Sequence, residues 1–115
     1  MPAFANPFSG NIDRKMSKTE LFQAIRIDIA SELEAIYLYD AHAHSTDAPL
    51  AAKVLADIRD EEKEHVGELM KLMKYLDPTF EGFLEEGEGE VREMMADLGI
   101  SDGASAGSVG SLIKD

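Results

Sequence analysis

The stretch IRDEEKEHVGELMKLMKYL, residues 58–76, decides how the rest of the chain is read. Together with the residues just before it, Ala51, Leu55, Ile58, Glu62, His65, Leu69, Leu72 and Leu76 follow one another at spacings of 4, 3, 4, 3, 4, 3 and 4. That alternation is the stripe a helix presents when it packs on another helix. Further toward the N-terminus, Ile25, Ile29, Glu32, Ile36, Tyr39 and Ala43 keep the same alternation. Ser17-Lys18-Thr19-Glu20 is a capping box, so the pattern predicts a first helix from Ser17 to about His44. Ser45-Thr46-Asp47 reads as a turn, with Thr46 or Asp47 capping a second helix that carries Pro49 in its first turn. That helix runs to about Leu76, where Asp77-Pro78 stops it. Two long helices joined by so short a turn form an antiparallel hairpin.

Each stripe is broken near its middle by charge, at Glu32 in the first helix and at Glu62 and His65 in the second. An unpaired buried charge costs several kcal/mol, so these groups have to be neutralised, paired or bound to a cation. Glu32 stands before the turn by nearly as many residues as Glu62 stands after it, which puts both roughly 20–24 Å from the turn. Glu62-Lys63-Glu64-His65 is a Glu-x-x-His motif, with a carboxylate and an imidazole on one helix face. One Glu on one helix with Glu-x-x-His on the next is half the donor set of a di-iron carboxylate site in a four-helix bundle. The chain has one such half. The expected fold is therefore all-α: a two-helix antiparallel hairpin that dimerises into a four-helix bundle, with one dinuclear site between two chains. A domain this small often needs oligomerisation or a metal for its stability.

Composition narrows the partners. Eleven Lys and Arg stand against 23 Asp and Glu in 115 residues, a net charge of −12, which disfavours nucleic acid and anionic membranes and attracts cations. With no cysteine, disulfides, thiolate metal sites and cysteine nucleophiles are excluded. Apolar runs are far shorter than the ~20 residues that span a bilayer, and the N-terminus has no signal-peptide pattern. An intracellular acidic protein is expected. Residues 1–16 read as a flexible arm, 17–98 as the helical domain, 85–90 within it as an acidic glycine-broken link, and 91–98 as a short third helix ended by Gly99. Residues 99–107 read as a flexible linker.

Other polar residues have plainer readings. Glu61 and Glu64 belong to a solvated face, and Glu34 points away from Glu32. Tyr39 continues the stripe as a core tyrosine with its hydroxyl paired. His42 and His44 read as surface residues, and Met70, Met73, Met94 and Met95 as packing.

At ELEAIYLYD (32–40) and RDEEKEH (59–65) the sequence resembles the encapsulated ferritins, ferritin-like cargo proteins of encapsulin nanocompartments. The resemblance covers about residues 20–80. It implies a ferroxidase that oxidises Fe2+ with oxygen at a di-iron site, with Glu32, Glu62 and His65 as ligands from each of two chains. It implies that Tyr39 stands beside those ligands and that Glu34 guides metal toward them. Relatives commonly carry a further acid where this chain has Ser31. It also implies homodimers that assemble into a larger ring, a decamer. The tail Ser108-Val109-Gly110-Ser111-Leu112-Ile113-Lys114 is similar to the peptides that dock such cargo into an encapsulin shell, which would place the protein in the cytoplasm inside an iron-storing nanocompartment. Two other readings remain at this point: a rubrerythrin-like di-iron peroxidase, and a non-catalytic helical interaction module.

Overall fold

The computed structural model describes residues 13–103, so most of the N-terminal arm, part of the linker and the whole docking tail lie outside the described residues. Three helices follow in order and no strand occurs among the described residues: α1 at Lys18–His44, α2 at Pro49–Leu76 and α3 at Pro78–Asp97. They fall into two units that divide between Asp77 and Pro78, the first holding α1 and α2 and the second α3.

The predicted capping box opens α1. The Ser17 hydroxyl accepts from the Glu20 N–H at 3.2 Å, and the Glu20 carboxylate accepts from the Ser17 N–H at 3.0 Å. Arg14 adds a two-pronged grip, donating to both Glu20 oxygens at 2.8 and 2.7 Å. The Arg14 guanidinium first, and the Ser17 bonds after it, hold the Glu20 carboxyl down at about 2. At the other end the Ser45 N–H donates to His42 O at 3.1 Å, and its hydroxyl donates to Ala41 O at 2.7 Å.

The start of α2 departs from expectation. Ala48 is the N-cap, not Thr46 or Asp47, and no side chain caps the helix. Pro49 at the first helical position has no N–H to satisfy and is already bent to the helical φ, which lessens the need for a cap. The Thr46 hydroxyl instead accepts from the Ala48 N–H at 3.2 Å and shapes the turn.

Between α1 and α2 only Ile25 and Met73 are fully buried, at 3% and 0% exposure, among the described residues. Most other seam positions are half-buried, including Ile29, Ile36, Leu55, Ile58 and Leu69. At two positions in the second half of α2 the more buried residue is the one after that expected, while Leu69 and Leu76 keep their places. Val66 and Met73 turn inward where His65 and Leu72 were expected, and His65 and Leu72 lie exposed at the edge of the stripe. A strict seven-residue repeat drifts by ~20° per heptad on a straight helix of 3.6 residues per turn, and the buried line moves toward the next residue. Leu33, Tyr37, Leu50, Val54, Leu72 and Tyr75 are exposed, so the hairpin leaves much apolar surface uncovered by its own chain.

The second unit corrects the sequence reading. Instead of an acidic link at 85–90 and a short helix at 91–98, α3 runs unbroken for 20 residues. Pro78 starts it, and the glutamates between Glu81 and Glu93 are good helix formers. Gly82, Gly87 and Gly89 each cost about 1 kcal/mol against alanine, which weakens the helix without ending it. Phe80, Leu84 and Met95 are half-buried positions along one side. The stop falls where expected. Gly99 adopts φ +75°, its N–H donates to Ala96 O at 3.0 Å, and the Ile100 N–H reaches back to Met95 O at 2.8 Å, a Schellman ending.

Candidate metal centre

At mid-height of the hairpin the three interrupting residues converge. His65 Nδ1 lies 3.4 Å from Glu32 Oε2 and 3.5 Å from Glu62 Oε2. One ligand atom from each of the three lies within 4.8 Å of the others. Glu62 and His65 share a face of α2 because they are three residues apart. Side chains lean toward the N-terminus of their own helix. In an antiparallel pair, those of α2 therefore lean toward the turn and Glu32 leans away from it, which brings them to one level.

The donor set suits a cation. Separations of 3.4 and 3.5 Å are long for a charge-assisted hydrogen bond, which prefers about 2.7–2.9 Å. They match ligands shared by one ion: donors about 2.1 Å from a metal stand about 3.0 Å apart at right angles and about 3.4 Å at the tetrahedral angle. Two carboxylates with an imidazole suit Fe2+ and its first-row neighbours. Glu32 and Glu62 keep 24% and 18% of their side chains exposed, whereas His65 keeps 47%, so the cluster opens toward solvent on the imidazole side.

Comparisons with known proteins bear on this arrangement. No family model matches the chain. The encapsulin nanocompartment cargo protein EncC of Myxococcus xanthus is 37% identical over 110 residues, covering 96% of this chain and 80% of that protein. The crystal structure of the encapsulated ferritin domain from Pyrococcus furiosus matches with a TM-score of 0.73 and 38% identity, over 87% of this chain and 99% of that one. The chain belongs to the encapsulated ferritin family. A ferritin-like–encapsulin shell fusion protein of Pyrococcus furiosus is 40% identical over 89 residues, 77% of this chain but 26% of the fusion. Membership sets the three helices within a ferritin-like, all-α fold.

The other residues singled out on family grounds fall differently. Tyr39 is half-buried on the α1 stripe, seven residues beyond Glu32 and so about 10 Å nearer the turn. Glu34 is half-buried but stands two residues from Glu32, on another side of α1, and is not one of the three clustered ligands. Glu61 and Glu64 are exposed, as expected. Residues Ser108 to Lys114 lie outside the described residues.

One pair was missed by the sequence reading. Arg59 Nη1 donates to Asp40 Oδ1 at 2.7 Å, joining α2 to α1. Arg59 also donates from Nε to Asp60 Oδ1 at 3.1 Å, and Lys63 Nζ donates to the same oxygen at 3.1 Å. Arg59 first, and Lys63 after it, hold the Asp60 carboxyl below the usual carboxylate range. The signal was present in RDEEKEH itself, where an arginine stands one turn before Glu62 on a helix that packs against an aspartate-bearing neighbour. Only the hairpin geometry says which aspartate it meets.

Proposed function

We propose that this protein is a ferroxidase. It takes Fe2+ as substrate at a site made by Glu32, Glu62 and His65 from each of two copies, and it serves as cargo of an encapsulin shell. The observation that carries the reading is the convergence of those three side chains at the middle of the hairpin seam. Family membership and the exposed apolar surface of the hairpin support completion by a second copy. We extend the same reading to a decameric ring, to residues 17–98 as the ferritin-like domain, and to 108–115 as the segment that docks into the shell within the cytoplasm.

Two facing hairpins bring together four carboxylates and two imidazoles. Their four negative charges balance two Fe2+ ions, and the same carboxylates hold the more highly charged Fe3+ product more strongly still. This difference drives the reaction toward oxidation. Four Fe2+ ions and four protons reduce one O2 to two waters. His65 presents Nδ1 to the two carboxylates and would ligate through it as a neutral imidazole. Glu34 attracts iron toward the site, and Tyr39 continues the α1 stripe of Glu32 one heptad nearer the turn.

The test is anaerobic addition of Fe2+ to the purified protein, followed by oxygen, with mass and oxygen uptake recorded together. One iron per chain, iron-driven association and oxygen uptake that Glu32→Ala abolishes are expected. A dimer indifferent to iron would replace this reading with the helical interaction module, and a strong preference for peroxide over oxygen would replace it with the peroxidase. Deleting residues 108–115 is expected to abolish co-purification with a shell, and unchanged loading would reject the docking role.

A further inference from the structure

Between the Glu32–Glu62–His65 cluster and the turn, α1 and α2 meet along half-buried residues, Ile36, Tyr39, Leu55 and Ile58 among them, and none of the described residues there is fully buried. The fully buried pair, Ile25 and Met73, sits beyond the cluster on the side away from the turn. On the turn side the seam is half-buried throughout and contains small residues such as Ala43 and Ala51. Arg59 crosses there. Its side chain is 21% exposed, and the guanidinium is held on two edges, by Asp40 of α1 at 2.7 Å and by Asp60 of its own helix at 3.1 Å. His44 Nδ1 lies 2.8 Å from the Asp40 backbone carbonyl oxygen, so that imidazole nitrogen is engaged by the main chain and the Asp40 carboxylate faces Arg59. A planar donor gripped on two edges has few rotamers left, unlike a lysine in the same place.

The position of this bond gives it leverage on the cluster. Arg59 stands one turn before Glu62 on α2, so whatever fixes Arg59 against α1 also fixes Glu62 and His65. Slipping α2 by one residue against α1 moves Glu62 about 1.5 Å along the axis and turns it by about 100°. Either change takes its carboxylate away from Glu32. We propose that Arg59 is a positioning residue for the metal centre, its bond to Asp40 setting the register of α2 on α1 that brings Glu62 and His65 to Glu32. The proposal rests on the reading of that cluster as a metal site. Its effect is on affinity: the donors stand together before the ion arrives, so less ordering remains to be done on binding.

Cobalt serves as the probe, because Co2+ accepts the same oxygen and imidazole donors and its visible absorption reports on their arrangement. The full-length protein and its Arg59→Gln, Arg59→Lys, Asp40→Asn and Glu62→Ala variants are titrated with Co2+, and the metal-free melting temperature of each is recorded. Arg59→Gln and Asp40→Asn are each expected to weaken Co2+ binding about tenfold. The double variant is expected to be little weaker than Arg59→Gln alone, because both substitutions act on the same Arg59–Asp40 contact. With iron, Arg59→Gln raises KM while kcat at saturating Fe2+ stays within about twofold. Arg59→Lys recovers part of the affinity.

If Arg59→Gln binds Co2+ as the unaltered protein does, or melts earlier with its affinity and spectrum intact, the bond is merely structural and the proposal is wrong. If Arg59→Gln does not fold, the near-isosteric Asp40→Asn decides by the same criterion. Wild-type Co2+ binding by Glu62→Ala marks a different failure. In that case the cluster is not a metal site, and the positioning role falls with it.

Discussion

Two levels of one hairpin are held together by opposite means. Away from the turn, Ile25 and Met73 are closed off from solvent, and apolar burial holds α1 to α2. At mid-height the same seam gives that packing up. Two carboxylates and an imidazole stand within 4.8 Å of one another and keep part of their surface open. Such a cluster costs stability unless a cation or a proton relieves it. Stability and chemistry are therefore separated along the helix axis, and each level can be altered with little effect on the other.

The sharpest way to break this comparison is at the polar level. Glu62→Ala is expected to lower iron-dependent oxygen uptake to the rate of Fe2+ in buffer alone. The melting temperature without metal should be unchanged or higher, since one of two close carboxylates has gone. An oxygen electrode and a thermal scan of the same preparation read both. Uptake at the unaltered rate would mean that the cluster is not the reacting site.

The apolar level makes the converse prediction. Met73 has no exposure, so Met73→Ala leaves a cavity and is expected to cost about 2–5 kcal/mol in urea unfolding. Protein that remains folded should keep its Co2+ affinity within about threefold. A variant that kept its stability and lost the metal would show that the two levels are one cooperative unit.

Reading the sequence went furthest where a period was long and unbroken. The stripes of α1 and α2 ran for about five and seven helical turns and, with the short turn between them, predicted both helices, the antiparallel sense and the level at which Glu32 meets Glu62 and His65. What the stripes did not carry was phase, because a repeat counted in whole residues drifts on a real helix. Met73, read as packing, is fully buried, whereas Leu72, placed on the stripe, is exposed for that reason. Arg59 and Asp40 were illegible in a different way: neither lies on an apolar stripe, and opposite charges on two helices pair only where rise and rotation bring them level. In α3 the error came from treating glycine as a break. Three glycines among good helix formers weaken a helix without ending it, and the one that ends it is Gly99, where the backbone turns to φ +75°.

That last difference is itself testable, because it sets glycines of the same helical unit against one another. At Gly82 a methyl group would meet nothing within 4 Å. Gly82→Ala is therefore expected to stabilise α3 by about 0.5–1 kcal/mol, seen as added helical ellipticity. Gly99→Ala places a side chain at positive φ and is expected to destabilise the same end by about 1 kcal/mol. Equal effects at the two positions would mean that the Schellman ending does not depend on Gly99.

The smallest expected effect belongs to the far end of α1, where neither apolar burial nor the metal cluster acts. Glu20 has its carboxyl held at about 2, against an ordinary value of 4.5, chiefly by Arg14 and also by the Ser17 bonds. A carboxyl whose value is depressed in the folded chain stabilises it fully above the ordinary value, and that contribution disappears as pH falls through the folded one. Hydrogen exchange at the amides of the first α1 turn should therefore be slow above pH 4.5 and lose its protection by about pH 2. Glu20→Gln, which cannot ionise, should lose this dependence and exchange at a nearly constant, intermediate protection. The cluster should be indifferent to the change. Glu20 stands twelve residues before Glu32, about 18 Å along the axis, which is beyond the ~10 Å screening length of 0.1 M salt. A shift of Co2+ affinity in Glu20→Gln would show that the helix end and the cluster communicate through the backbone of α1 and not through the field of a distant charge.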